Sequence, residues 1–265
     1  MKCNGDNRKG FSLTEILLAV GVLAIGMVFV AGVFPAGMVL STRSAEQTIA
    51  AVVADEAFAK IRLISNNPTT PIGASAFSWG LSTSFEDVAE LQLGFQLDDE
   101  FAYPSTGVSS DKQYYWSAIG RQIDNSSDVQ VTVFVCRKVG SGLKYWRYQY
   151  PATEGTMDGL IPRAYPVVVT VSGSQPATWP NPVTVTIVDT YNPDLKNPIS
   201  DGYTVVNGLT GEIMRVMERN GQQVTLYAYD AIDSIDGRTW LWVVPSPAGG
   251  GRYPCIGVYQ KVIRF

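Results

Sequence analysis

The sequence predicts an α+β protein: a long N-terminal helix, transmembrane in its first half, packed on an antiparallel β-sheet head with an additional C-terminal β-rich portion. Three observations predict it. The run from Ile16 to Leu40 contains no Asp, Glu, Lys or Arg. Apolar residues then recur at three- and four-residue spacing among charges up to residue 65. Beyond residue 113 the pattern becomes one of short, alternating, β-branched and aromatic segments separated by turn formers.

The apolar run comes first. At about 1.5 Å per residue, a helix of that length reaches roughly 37 Å, enough to cross a hydrocarbon core about 30 Å thick with some tilt. Lys2, Arg8 and Lys9 precede it against a single acid, Asp6. That bias holds the N-terminus in the cytoplasm and sends the remainder across the membrane. Pro35 removes one backbone donor and clashes with the carbonyl four residues back, which predicts a kink or local melting around residues 31–35. Gly21, Gly26, Gly32 and Gly37 permit close helix–helix approach, or simply fill the span. In the second half Ile49, Val52, Val53, Ala57, Phe58, Ile61 and Leu63 alternate with Arg43, Glu46, Asp55, Glu56, Lys60 and Arg62. This amphipathic stripe requires a sheet to cover it, and Asn66-Asn67-Pro68 ends the helix.

Residues 66–113 read as a connecting region with one short helix near 85–91. Strands follow at 114–119, 129–135, 143–150, 165–172 and 183–189, with Gly140-Ser141-Gly142 marking a hairpin between the second and third. The proline-rich stretch 192–201 is a boundary, so 66–199 forms one β head. Residues 200–265 form a β module or a sheet extension, with strands at 202–207, 212–218, 223–230, 239–244 and 256–264. Asn220-Gly221 and Asp236-Gly237 supply its turns.

Lys9-Gly10-Phe11-Ser12-Leu13-Thr14-Glu15, followed by the apolar helix, resembles the processing signal of type IV prepilins and type II secretion pseudopilins. The resemblance covers residues 8–65. It implies a leader, residues 1–10, removed by prepilin peptidase between Gly10 and Phe11, with N-methylation of Phe11. It implies that Glu15 serves filament assembly. It further implies a subunit of a type IV pilus or type II secretion filament, partnered by other pilins or pseudopilins and an inner-membrane assembly platform; a head larger than that of a typical small major pilin, with its extra β-rich portion, suggests a minor subunit. Such a protein is single-pass in the cytoplasmic membrane with an extracytoplasmic head, and is extracted into a periplasmic or surface filament. The rival is a membrane-anchored extracytoplasmic β-domain that binds glycan or protein and forms no filament. A third reading, an ordinary secretory peptide, conflicts with the length of the apolar run.

Composition narrows the chemistry. The chain has 265 residues, net charge −4 and no histidine, which excludes Ser-His-Asp and Cys-His catalysis and the commonest transition-metal ligand. Removing residues 1–10 leaves 17 basic against 23 acidic side chains, and no basic patch points to nucleic acid. No motif supports an enzyme. Calcium is conceivable at Asp98-Asp99-Glu100 or at Asp230, Asp233 and Asp236, but the spacing fits no EF-hand loop, and no cofactor is expected. Gly249-Gly250-Gly251 lacks the lysine of a phosphate loop and reads as a turn. Tyr145, Trp146, Tyr148, Tyr150, Trp240 and Trp242 are either a glycan- or partner-binding surface or sheet packing. Of three cysteines, Cys3 falls in the leader. Cys136 and Cys255 either bridge in an oxidising compartment or remain two buried thiols.

Overall fold

The structure, a computed structural model, describes residues 12–65, 85–88, 98–106, 112–123, 128–140, 142–147, 156–171, 181–188, 199–229, 231–247 and 251–264. The chain divides into two compact units, residues 1–46 and 47–265. It is α+β.

The first described element is a single α-helix, α1, Leu13–Ser65. Its helical assignment runs without a break through Pro35, so the local melting expected near that residue does not occur. In the first unit the apolar side chains from Leu13 to Leu40 are exposed. An added Cβ at Gly21, Gly26, Gly32 or Gly37 would meet nothing within 4 Å.

The second unit contains the end of α1 and the β structure. Ala50, Val53, Ala54, Ala57, Phe58 and Ile61 of α1 are buried, at the spacing of one helical face. Val52 and Leu63, expected in that stripe, lie outside it and are exposed. The buried face packs on a sheet built from β1 (Glu86–Asp87), β2 (Ala102–Tyr103), β3 (Tyr114–Gln122), β4 (Asp128–Arg137) and β13 (Cys255–Arg264). The order is β1-β3-β4-β13, with β2 also on β3. The short helix expected near 85–91 is corrected here: residues 86–87 form a strand antiparallel to β3.

Strand β4 is buried on both faces. Val129, Val131, Val133 and Val135 join the helix-side core. Phe134 and Cys136 join a second cluster with Val206, Trp242 and Val244. The alternation of Val with Gln, Thr and Phe marks the strand; residues of the barrel strands cover its second face.

The barrel comprises β7 (Tyr165–Val171), β8 (Asn181–Ile187), β9 (Thr204–Asn207), β10 (Ile213–Asn220), β11 (Gln223–Ala228) and β12 (Arg238–Val243). It closes in the order β10-β11-β8-β7-β12-β9. Inward side chains alternate along each strand, among them Val167 and Val169, Val183 and Val185, Val224 and Leu226, and Leu241 and Val243. The remaining pair, β5 (Tyr145–Arg147) and β6 (Thr156–Gly159), is antiparallel. Gly140 and Gly142 therefore do not join β4 to β5 as a hairpin: β4 pairs with β3 and β13. The Asp236-Gly237 turn does form. Both residues have positive φ, 52° and 72°, between bridged Ile235 and Arg238, the conformation that Asp-Gly favours in a tight hairpin.

The boundary expected at residue 200 is also corrected. Barrel strands β7 and β8 precede it and β9 to β12 follow it, while β13 returns to the first sheet. The barrel is thus an insertion between β4 and β13, closed because its edge strands β9 and β10 find each other and leave no open ladder.

A polar seam joins barrel to sheet. Arg121 donates to the carbonyl oxygens of Leu209 and, at 3.3 Å, Thr210. Gln260 Nε2 donates to the Gly211 carbonyl and to Thr132 Oγ1, each at 2.9 Å. Gly211 itself has φ +78°, and an added Cβ would lie 2.6 Å from Phe85 Cζ and 2.7 Å from both Gln130 Nε2 and Gln260 Nε2. Gly211→Ala is therefore expected to cost about 2 kcal/mol or more, by left-handed strain and overpacking together. Gly221→Ala, with φ +61° but open space around it, should cost less. Denaturant midpoints of the two full-length variants in detergent check the order.

Candidate functional site

Gly10 and Phe11, and the leader 1–10 with Cys3, lie outside the described residues. Glu15 is described. It occupies the first turn of α1, where the unpaired amides and the helix dipole favour an acid. Ser12 precedes the helix, and its carbonyl accepts from the Glu15 and Ile16 amides at 3.0 and 3.2 Å. Its hydroxyl lies 2.7 Å from Thr14 Oγ1. Ser12-Leu13-Thr14-Glu15 has the Ser-x-x-Glu spacing of a helix start, a local signal for Glu15 that the reading of the apolar run left aside. The Glu15 side chain is exposed and makes no ion pair among the described residues. It stands at the head of a helix whose Leu13–Leu63 portion is long and apolar enough to cross a membrane, with none of its most apolar window buried.

The other candidate residues divide. Among the described residues no three of His, Cys, Asp and Glu are grouped to hold a metal ion. Asp230 and the side chains of Asp98 and Asp99 lie outside the description, and residues 98–101 form a 3-10 helix. Tyr145, Trp146 and Trp242 are buried, so they pack the interior and do not form an exposed aromatic surface. Tyr148 and Tyr150, like Gly249 and Gly250, lie outside the described residues. Arg163, which the sequence reading passed over, is buried with its guanidinium 4.7 Å from the Phe101 ring centre. Its Nε and Nη2 have no hydrogen-bond partner among the described residues, and the ring face offsets part of that cost.

Cys136 and Cys255 are brought together. They are directly opposed in the antiparallel β4–β13 ladder and both are free thiols. The Arg137 amide donates to the Pro254 carbonyl at 2.8 Å, so the neighbouring pair is the hydrogen-bonded one and the cysteines form the non-hydrogen-bonded pair. Beside them Tyr253 stacks on Tyr203 at 3.9 Å, and its hydroxyl donates to the Thr204 carbonyl at 3.1 Å. The thiols are unequal. Burial, then the contact with Cys255, pushes Cys136 up. The hydrogen bond from Cys136 holds Cys255 below the ordinary thiol value against its own burial.

Comparison with known proteins bears on the N-terminal segment. Residues 5–31 match the family model described as the prokaryotic N-terminal methylation motif. With the long apolar helix that follows, the chain fits a type IV pilin or pseudopilin. The match supports a pilin- or pseudopilin-type precursor. It is consistent with a single-pass membrane anchor. No curated protein matches the chain.

The inequality of the thiols has a measurable consequence. In the reduced, folded protein Cys255 is 9% exposed and Cys136 is 0% exposed. Alkylation is expected to reach Cys255 first. Because a lowered pKa forms the thiolate at lower pH, its rate should be half-maximal below the pH at which an unperturbed thiol reaches that point. Peptide mass spectrometry across a pH series checks both the order and the profile.

Proposed function

We propose that the chain is a minor pilin or pseudopilin, a structural subunit of a type IV pilus or type II secretion filament. The observation that carries this reading is the methylation-motif match at residues 5–31, running directly into an unbroken, exposed apolar helix. Prepilin peptidase cleaves between Gly10 and Phe11 and Phe11 is N-methylated; glycine lets the scissile backbone be approached without a Cβ in the way. The positive charges before the helix stay in the cytoplasm and the head stands outside the cytoplasmic membrane. The inserted barrel enlarges the head beyond one helix-backed sheet, which favours a minor over a repeating major subunit.

Glu15 then has a partner to find. Cleavage creates an amine at Phe11, four residues before a carboxylate at the edge of an apolar helix. An unpaired carboxylate in that setting is costly, and the Phe11 amine of a neighbouring subunit compensates it, registering one helix against the next.

Two measurements test the reading. N-terminal mass spectrometry of mature protein should find N-methylated Phe11, and Gly10→Val should block cleavage. An intact Met1 terminus, or one beyond Leu40, would overturn the processing step. Glu15→Gln should leave insertion and cleavage intact while crosslinking to other pilin subunits, in membranes containing the whole assembly machine, falls sharply. Unchanged crosslinking at equal protein level would instead favour an anchored β-domain that forms no filament.

A further inference from the structure

We propose that Cys136 and Cys255 form a disulfide that closes the neck through which the chain leaves the first sheet to build the barrel and returns from it. The proposal rests on the reading that the head is exported, because only an oxidising compartment sustains such a bond.

The geometry is that of a cross-strand bridge. A non-hydrogen-bonded antiparallel pair places its Cα atoms about 4.5 Å apart with side chains on the same face, and disulfides span Cα separations of about 4.4 to 6.8 Å. The Arg137-to-Pro254 hydrogen bond identifies the cysteines as that kind of pair. Other registers fail the test: one residue's slip would point one sulfur to the opposite face of the sheet. The irregularity between Cys255 and Gly257 confines the ladder's distortion to the residues after Cys255, and Cys136 is the penultimate residue of β4.

The place matters more than the bond alone. Everything between these cysteines, the β5–β6 pair and the whole barrel, is one excursion from the sheet. Strand β13 reaches the sheet only after that excursion, yet it covers the edge of β4 and contributes Ile263 to the helix-side core. Without a covalent tie, opening of the barrel frees β13 to leave, exposing a valine-rich edge. A bond at the neck keeps β13 on β4 whatever the barrel does.

Formation proceeds by thiol–disulfide exchange with a small-molecule or protein disulfide. The Cys255 thiolate attacks one sulfur of that disulfide and expels the other as a thiolate, leaving a mixed disulfide. Cys136, after losing its proton to the expelled thiolate, attacks the Cys255 sulfur and expels the second. Two protein thiols are oxidised and one external disulfide is reduced to two thiols.

The test uses the full-length protein. Purified, reduced protein in detergent is equilibrated with oxidised glutathione, and thiols are counted by alkylation under denaturing conditions. Loss of both thiols and a Cys136–Cys255 linked peptide are expected; two alkylated thiols, or stable glutathione adducts, overturn the proposal. Amide exchange of β13 should then be slower by roughly tenfold or more in oxidised than in reduced protein, with Cys136→Ala matching the reduced form. Equal exchange in all three overturns the neck role. Protein taken from cells with thiols blocked at lysis should carry the bond. Free thiols in a head reached by a membrane-impermeant label overturn the proposal, whereas free thiols in a head shielded from that label overturn the export reading on which it rests.

Discussion

The antiparallel pairing of β4 with β13 is the contact on which the folded head depends. It joins the strand from which the chain leaves the first sheet to the strand it makes on returning. Nine residues of β13, from Cys255 to Arg264 with one bulged out, find partners on β4. That ladder orients both faces of β4 at once. Its valines meet the Ala50–Ile61 face of α1, while Phe134 and Cys136 meet Trp242 and Val244 of the barrel side. Because interiors pack at close to crystal density, neither layer can shift without disturbing the other through this strand.

Between barrel and sheet the hydrophobic contacts are accompanied by directional ones. Arg121, Gln130 and Gln260 all reach carbonyls of the 209–211 turn. The amide of Phe85 donates to the Gly208 carbonyl at 2.7 Å. A turn has backbone groups its own ladder does not satisfy, and a buried one left unpaired costs free energy comparable to a lost hydrogen bond. The sheet supplies the missing donors. The glycine at 211 is what lets them come close enough.

The first unit presents a different surface. Among the described residues nothing covers its side chains from Leu13 to Leu40, and a surface of that kind is tolerated in lipid or against like helices better than in water. Glu15 is the one acid at its margin, held in a helical first turn by Ser12. The same helix therefore carries two kinds of chemistry. Lipid-compatible side chains surround its beginning, and a single buried stripe runs along its end.

The sequence by itself determined the helix and its two environments, the methylation motif and most strand positions. These are local matters: hydrophobic period, turn residues and charge order act within a few residues. Asp236-Gly237 specified its turn because only certain residues adopt positive φ there without strain. What only the tertiary structure decided was partnership. Gly140 and Gly142 signal a turn but not which strands it separates, and the prolines near 200 signal a loop but not the edge of a barrel. Strands at 165–171 and 213–220 look alike in sequence to those of the first sheet, since alternation records that a face is buried and not what buries it. The opposition of Cys136 to Cys255 is of this second kind. Their separation in the chain says nothing of register, which is set only when β13, the last strand, takes the open edge of β4.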